Sequence, residues 1–131
     1  MKDLWPKDLK SVEVRPPVLV LEEQGAILAE RTKNLLRGRV DQIEGGAAFN
    51  FRFVIEAPTL PYEYELFSIH YGVEMYPVAL RLAQGIFPQP QAVKKVASEQ
   101  VLLDLLTKVF NSERVRKLVT ALLMQLERRA I

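Results

Sequence analysis

Phe49, Phe51, Phe53 and Ile55 occupy every second position, with Asn50, Arg52 and Glu56 on the other parity. Successive side chains of a strand point to opposite faces, so this spacing defines an extended segment with one apolar side and one mostly polar side. It ends at Ala57-Pro58, where proline cannot donate to a further ladder bond. Whatever else the chain forms must cover that row of aromatic rings.

Two further strands follow from the same reasoning. Tyr62 to Tyr71 is apolar on both sides: Tyr62, Tyr64 and Leu66 share one parity, Phe67, Ile69 and Tyr71 the other. Either a bulge shifts the register midway, or both faces are covered. After Gly72, the residues Tyr76, Val78, Leu80 and Leu82 alternate again, with Pro77 suited to a strand start or an edge. A short strand over Arg39–Glu44, followed by Gly45-Gly46, is expected to precede these three. Short connections favour antiparallel neighbours, which gives a four-stranded meander.

The flanking segments have helical periodicity. Pro16-Pro17 opens a helix whose Leu21, Leu28 and Leu35 recur at sevens beside Val18, Gly25 and Thr32. Gly25 inside a helix costs about 1 kcal/mol relative to alanine, and close approach to the sheet is the compensation expected. Gly38 is the expected stop. Near the other end, Ser98 is an N-cap for a helix carrying Val101, Leu102, Leu105, Leu106 and Val109. Asn111-Ser112 breaks it and caps a last helix through Leu126. Residues 84–97, rich in proline and glutamine, read as a long loop that Ile86 and Phe87 anchor, with a short helix over Gln91–Val96 as an option. Residues 1–15 read as an arm anchored by Trp5. The expectation is a single α+β domain over 1–131: a helix, a four-stranded antiparallel sheet, and two C-terminal helices on one face.

Composition narrows the function classes. The chain has no cysteine, which excludes disulfides and thiolate metal sites and suits a reducing compartment. No apolar run approaches the roughly 20 residues of a membrane helix, and the N-terminus has no signal-like run, so a cytoplasmic protein is expected. The net charge is +2, divided as eight Lys/Arg against six Asp/Glu in 1–40, four against six in 41–97, and six against four in 98–131. That is a modest basic footprint for a nucleic-acid binder.

The site candidates are few. His70 is the only histidine, and as a general base it requires a cleft and an orienting partner. Glu63 and Glu65 lie two apart on one strand face, the spacing of an acid/base pair or of carboxylates around a cation, and equally of a solvated face. Arg31, Lys33, Arg37 and Arg39 cluster after the first helix, and Arg114, Arg116 and Lys117 at the start of the last. If the two groups met, they would suit phosphates, although charged helix faces have the same pattern. Tyr62, Tyr64, Leu66 and Phe87 are interface candidates, because an uncovered apolar sheet face requires a partner. No nucleotide-binding, hydrolase or zinc motif is present, and no metal site or cofactor is implied. The expectation is a non-enzymatic protein-interaction module that self-associates through its sheet. The alternatives are nucleic-acid binding through the basic helix ends and a ligand site or enzyme around His70.

Overall fold

A computed structural model of the chain describes residues 1–9, 14–46, 49–83, 86 and 93–129. The first helix, α1, spans Pro17–Arg31. Five strands follow, β1 (Arg37–Gln42), β2 (Phe49–Ala57), β3 (Tyr62–Tyr71), β4 (Val78–Leu82) and β5 (Val93–Val96), then α2 (Glu99–Phe110) and α3 (Glu113–Arg129). The strands pair antiparallel in the order β1-β2-β3-β4-β5. The α+β architecture is the one the periodicities predict, with one strand more.

That fifth strand corrects the reading of 84–97 as one long loop, and of Gln91–Val96 as a short helix where it overlaps 93–96. Val78 pairs with Val96 and Arg81 with Val93, so β5 forms a sheet edge. Its Val-Lys-Lys-Val sequence is too short and too charged to show alternation, and lysines are what edge strands carry against unwanted pairing. Ile86 is buried in the core; Phe87 lies outside the described residues.

The irregularity in β3 is a bulge. Phe53 pairs with Phe67, but Val54 pairs with Glu65, so Leu66 is the extra residue. The bulge places Tyr62 and Tyr64 on the same face as Phe67, Ile69 and Tyr71. Leu66 and Phe67 are both fully buried. The face opposite the helices therefore carries Glu63, Glu65, Ser68 and His70 from this strand, and is not apolar.

All three helices attach to the Phe49–Ala57 apolar face. Phe110 at the end of α2 sits 5.6 Å from the Phe53 ring and 6.4 Å from that of Phe67, with Phe53 and Phe67 stacked at 5.4 Å. Arg114 in the first turn of α3 lies over the Tyr64 ring at 5.4 Å. Ser98 caps α2 by accepting from the Val101 N–H at 3.3 Å, and Ser112 accepts from the Val115 N–H at 3.4 Å.

Helix α1 stops earlier than Gly38. Thr32 is its C-cap, and the Thr32 hydroxyl donates to the Leu28 carbonyl at 2.8 Å and accepts from the Leu36 N–H at 3.1 Å. Lys33 and Asn34 take the left-handed conformation that turns the chain into β1. Gly38 has a different role. A Cβ built on Gly25 would lie 2.3 Å from the Gly38 carbonyl oxygen, and one built on Gly38 would lie 2.6 Å from the Gly25 Cα. The two glycines let helix and strand backbones touch, which is the compensation expected of Gly25.

Candidate functional site: a groove between the first and last helices

The strand register decides where each candidate falls. Arg37, Arg39 and Asp41 of β1, Arg52 and Glu56 of β2, and Glu63 and Glu65 of β3 share the face away from the helices. There they pair with one another. Arg39 Nη1 donates to Glu56 Oε2 at 2.6 Å and to Glu63 Oε2 at 2.7 Å, while its Nε and Nη2 clasp Asp41 at 2.9 Å each. Arg37 binds the other Glu56 oxygen, and Arg52 reaches Asp41 at 3.0 Å and Glu65 at 3.6 Å. Hydrogen bonds from Arg39 hold the Asp41 carboxyl below the usual carboxylate range, against the effect of burial. Burial pushes the Glu56 carboxyl up, and the bonds from Arg37 and Arg39 outweigh it, so that it too lies low. In return, the bonds to Asp41 and Glu63 raise Arg39 further.

Glu63 and Glu65 are thus partners of arginines on a charged sheet surface. His70 lies on the same face, five residues further along β3 than Glu65, roughly 16 Å at the rise of a strand. Its Nδ1 is engaged by Asn50 Oδ1 across the β2–β3 pair. The structure does not bring His70 and the glutamates together. Among the described residues, no group of three His, Cys, Asp or Glu side chains is placed to hold a metal.

The basic clusters divide as well. Arg37 and Arg39 are neutralised on the outer face. Lys117 pairs with Glu113 at 2.8 Å, and Arg114 covers Tyr64. Lys33 is exposed in the turn after α1. Arg31 and Arg116, one from each cluster, come to the same place: both line a groove of about 390 Å³.

That groove has a simple origin. The glycine contact holds α1 down on β1, at one edge of the sheet. Phe110 and Val115 seat the α2–α3 junction above β2 and β3. The space between is floored by Phe53 and Ile55 and walled by Ile27 and Leu28 of α1 and by Val115, Val119 and Leu123 of α3. Gln24, Thr32, Asn111 and Thr120 are the uncharged polar residues lining it. Its volume falls in the range of roughly 300–1,000 Å³ usual for small-ligand sites, and its apolar lining with a few polar groups is the usual composition. The groove joins α1 to a helix some ninety residues later, so no local motif announces it; the two arginines were the only signal.

The interface candidates have separate fates. Leu66 is wholly buried, Tyr64 lies half-buried beneath Arg114, and Tyr62 is 38% exposed at the strand end. Trp5 does not anchor the arm: it is 73% exposed, alongside exposed Leu4 and Leu9. The chain is fastened instead at Arg15, whose backbone N–H and guanidinium bind Glu99 at the start of α2 and whose Nη1 binds Glu23 of α1.

Comparison with known protein families, with curated proteins and with solved structures found no match.

Proposed function

We propose that this chain is a small non-enzymatic binding module whose working surface is the groove between α1 and α3. The observation that carries this reading is the groove itself, an apolar floor beneath two exposed arginines in a molecule whose other face is closed by ion pairs. His70 lies away from Glu63 and Glu65 and is not among the residues lining the groove, which supports binding over catalysis. Nucleic-acid binding has less support, because Arg37, Arg39 and Lys117 are each paired with a carboxylate. A cytoplasmic setting belongs to the proposal, suited by the lack of cysteine; among the described residues no helix is long and apolar enough to cross a membrane.

The test is titration of the full chain with the neutral apolar fluorophore N-phenylnaphthylamine. Enhancement is expected for the native chain and should be lost in Ile27→Lys and in Thr120→Trp, both exposed positions lining the groove. Equal binding by native chain and both variants would remove the groove from the account.

Self-association is a second reading, supported by the exposed arm rather than by the sheet. Leu4, Trp5 and Leu9 present apolar surface left exposed among the described residues. Sedimentation velocity on the native chain and on Trp5→Ala decides it: a concentration-dependent dimer that the substitution weakens is expected, and a monomer at high micromolar concentration refutes it.

A further inference from the structure

We infer that the groove takes a single-chain amphiphile with a carboxylate head, its tail lying over Phe53, Ile55 and Phe110 and its head held by Arg31 and Arg116. This rests on the reading of the groove as the binding site and adds the chemistry of its occupant. Three observations bear on that chemistry. The floor and most of the walls are aliphatic and aromatic, with Gln24, Thr32, Asn111 and Thr120 as the uncharged polar lining. The only charged residues lining the groove are these two arginines, with no carboxylate among the lining residues. Neither arginine makes an ion pair among the described residues, whereas Arg15, Arg37, Arg39 and Arg52 are each tied to a carboxylate.

The contrast selects for sign. An ammonium-headed ligand meets two like charges, and a neutral head leaves both guanidiniums as they were. A carboxylate gains charge-assisted hydrogen bonds in the fork geometry that guanidinium favours. The site differs in this respect from the outer face, where Arg37, Arg39 and Arg52 are already neutralised. The cavity volume sets the size: a single tail of medium length fills it, and a two-chain lipid exceeds it.

The experiment is calorimetric titration of the full chain with decanoate, decanol and decylammonium, each below its micelle concentration. Decanoate is expected to bind at least about tenfold tighter than the other two, as charge-assisted contacts require. Arg31→Gln combined with Arg116→Gln should abolish that preference while leaving the unfolding midpoint in place. Arg128→Gln, a matched charge loss near the end of α3, should leave it intact. Equal affinity for the three heads would overturn the inference while leaving the groove reading standing. Absence of binding by all three, with N-phenylnaphthylamine also unbound, would overturn both. Binding only to anionic vesicles would overturn it in favour of a lipid surface. A blue shift of the single tryptophan with chain concentration, together with no decanoate binding, would overturn it in favour of a second copy's arm.

Discussion

Replacing Gly25 by alanine places a methyl group against the backbone of β1. The added Cβ lies 2.3 Å from the Gly38 carbonyl oxygen, 2.9 Å from its carbon and 3.2 Å from its Cα. The first of these falls about 1.1 Å short of the 3.4 Å at which ordinary contact begins. No side chain can rotate away, because both partners are main chain, so helix and strand must separate. Alanine gains about 1 kcal/mol over glycine from helix propensity. Overpacking costs roughly 1–3 kcal/mol, and a backbone-to-backbone clash belongs at the upper end. The net expectation is destabilisation by about 2 kcal/mol. With a urea m-value of ~2 kcal/mol/M, the midpoint falls by about 1 M with m unchanged. The control is Ala26→Gly, at the exposed next position, which loses only propensity and lowers the midpoint by about 0.5 M. Opposite substitutions one residue apart should thus both destabilise. A midpoint for Gly25→Ala that rises by about 0.5 M would refute the contact, since that is what an uncrowded helix gives.

Three smaller predictions follow from the same structure. Ser98→Ala removes the α2 cap and should cost about 1 kcal/mol in urea unfolding. The depressed Asp41 and Glu56 carboxyls contribute stability above the ordinary carboxylate range that disappears as pH falls through their lower folded values. Urea midpoints should therefore drop below about pH 4.5, and Glu56→Gln should flatten that drop; an unchanged acid limb argues against the outer-face network. Burial, then the nearby Glu99, pushes the Tyr76 hydroxyl up to about 12, and it has no hydrogen-bond partner among the described residues. Burial raises the Tyr71 hydroxyl as well, so alkaline absorbance titration should show late tyrosines, the last of which Tyr76→Phe removes, with stability unchanged or raised by up to about 1 kcal/mol.

What the sequence revealed depended on how local each cause was. The phenylalanine alternation is a property of neighbouring residues, and it located β2 and the buried face directly. Ser98 and Ser112 act within one helical turn, so their capping was legible too. Gly25 was read correctly as a close approach. Its counterpart Gly38 was read as a helix stop, because glycine marks both left-handed turns and tight packing. The left-handed residues are Lys33 and Asn34, and asparagine was the better signal. The apolar character on both parities of β3 had two explanations, and only the pairing of Val54 with Glu65 decided for a bulge. That one residue converts an expected adhesive face into a lattice of arginines and carboxylates. The strand β5 was hidden by its brevity and its two lysines. Arg31 and Arg116 were singled out separately, but their meeting depends on where α3 crosses the sheet, which no spacing encodes.

The most direct test of the groove is methyl-labelled NMR of the full chain titrated with decanoate. The account predicts shifts confined to methyls of Ile27, Leu28, Ile55, Val115, Val119 and Leu123, with Val54 and Val93 on the opposite sheet face unmoved. Shifts centred on Val54 and Val93, with the helix methyls silent, would contradict it.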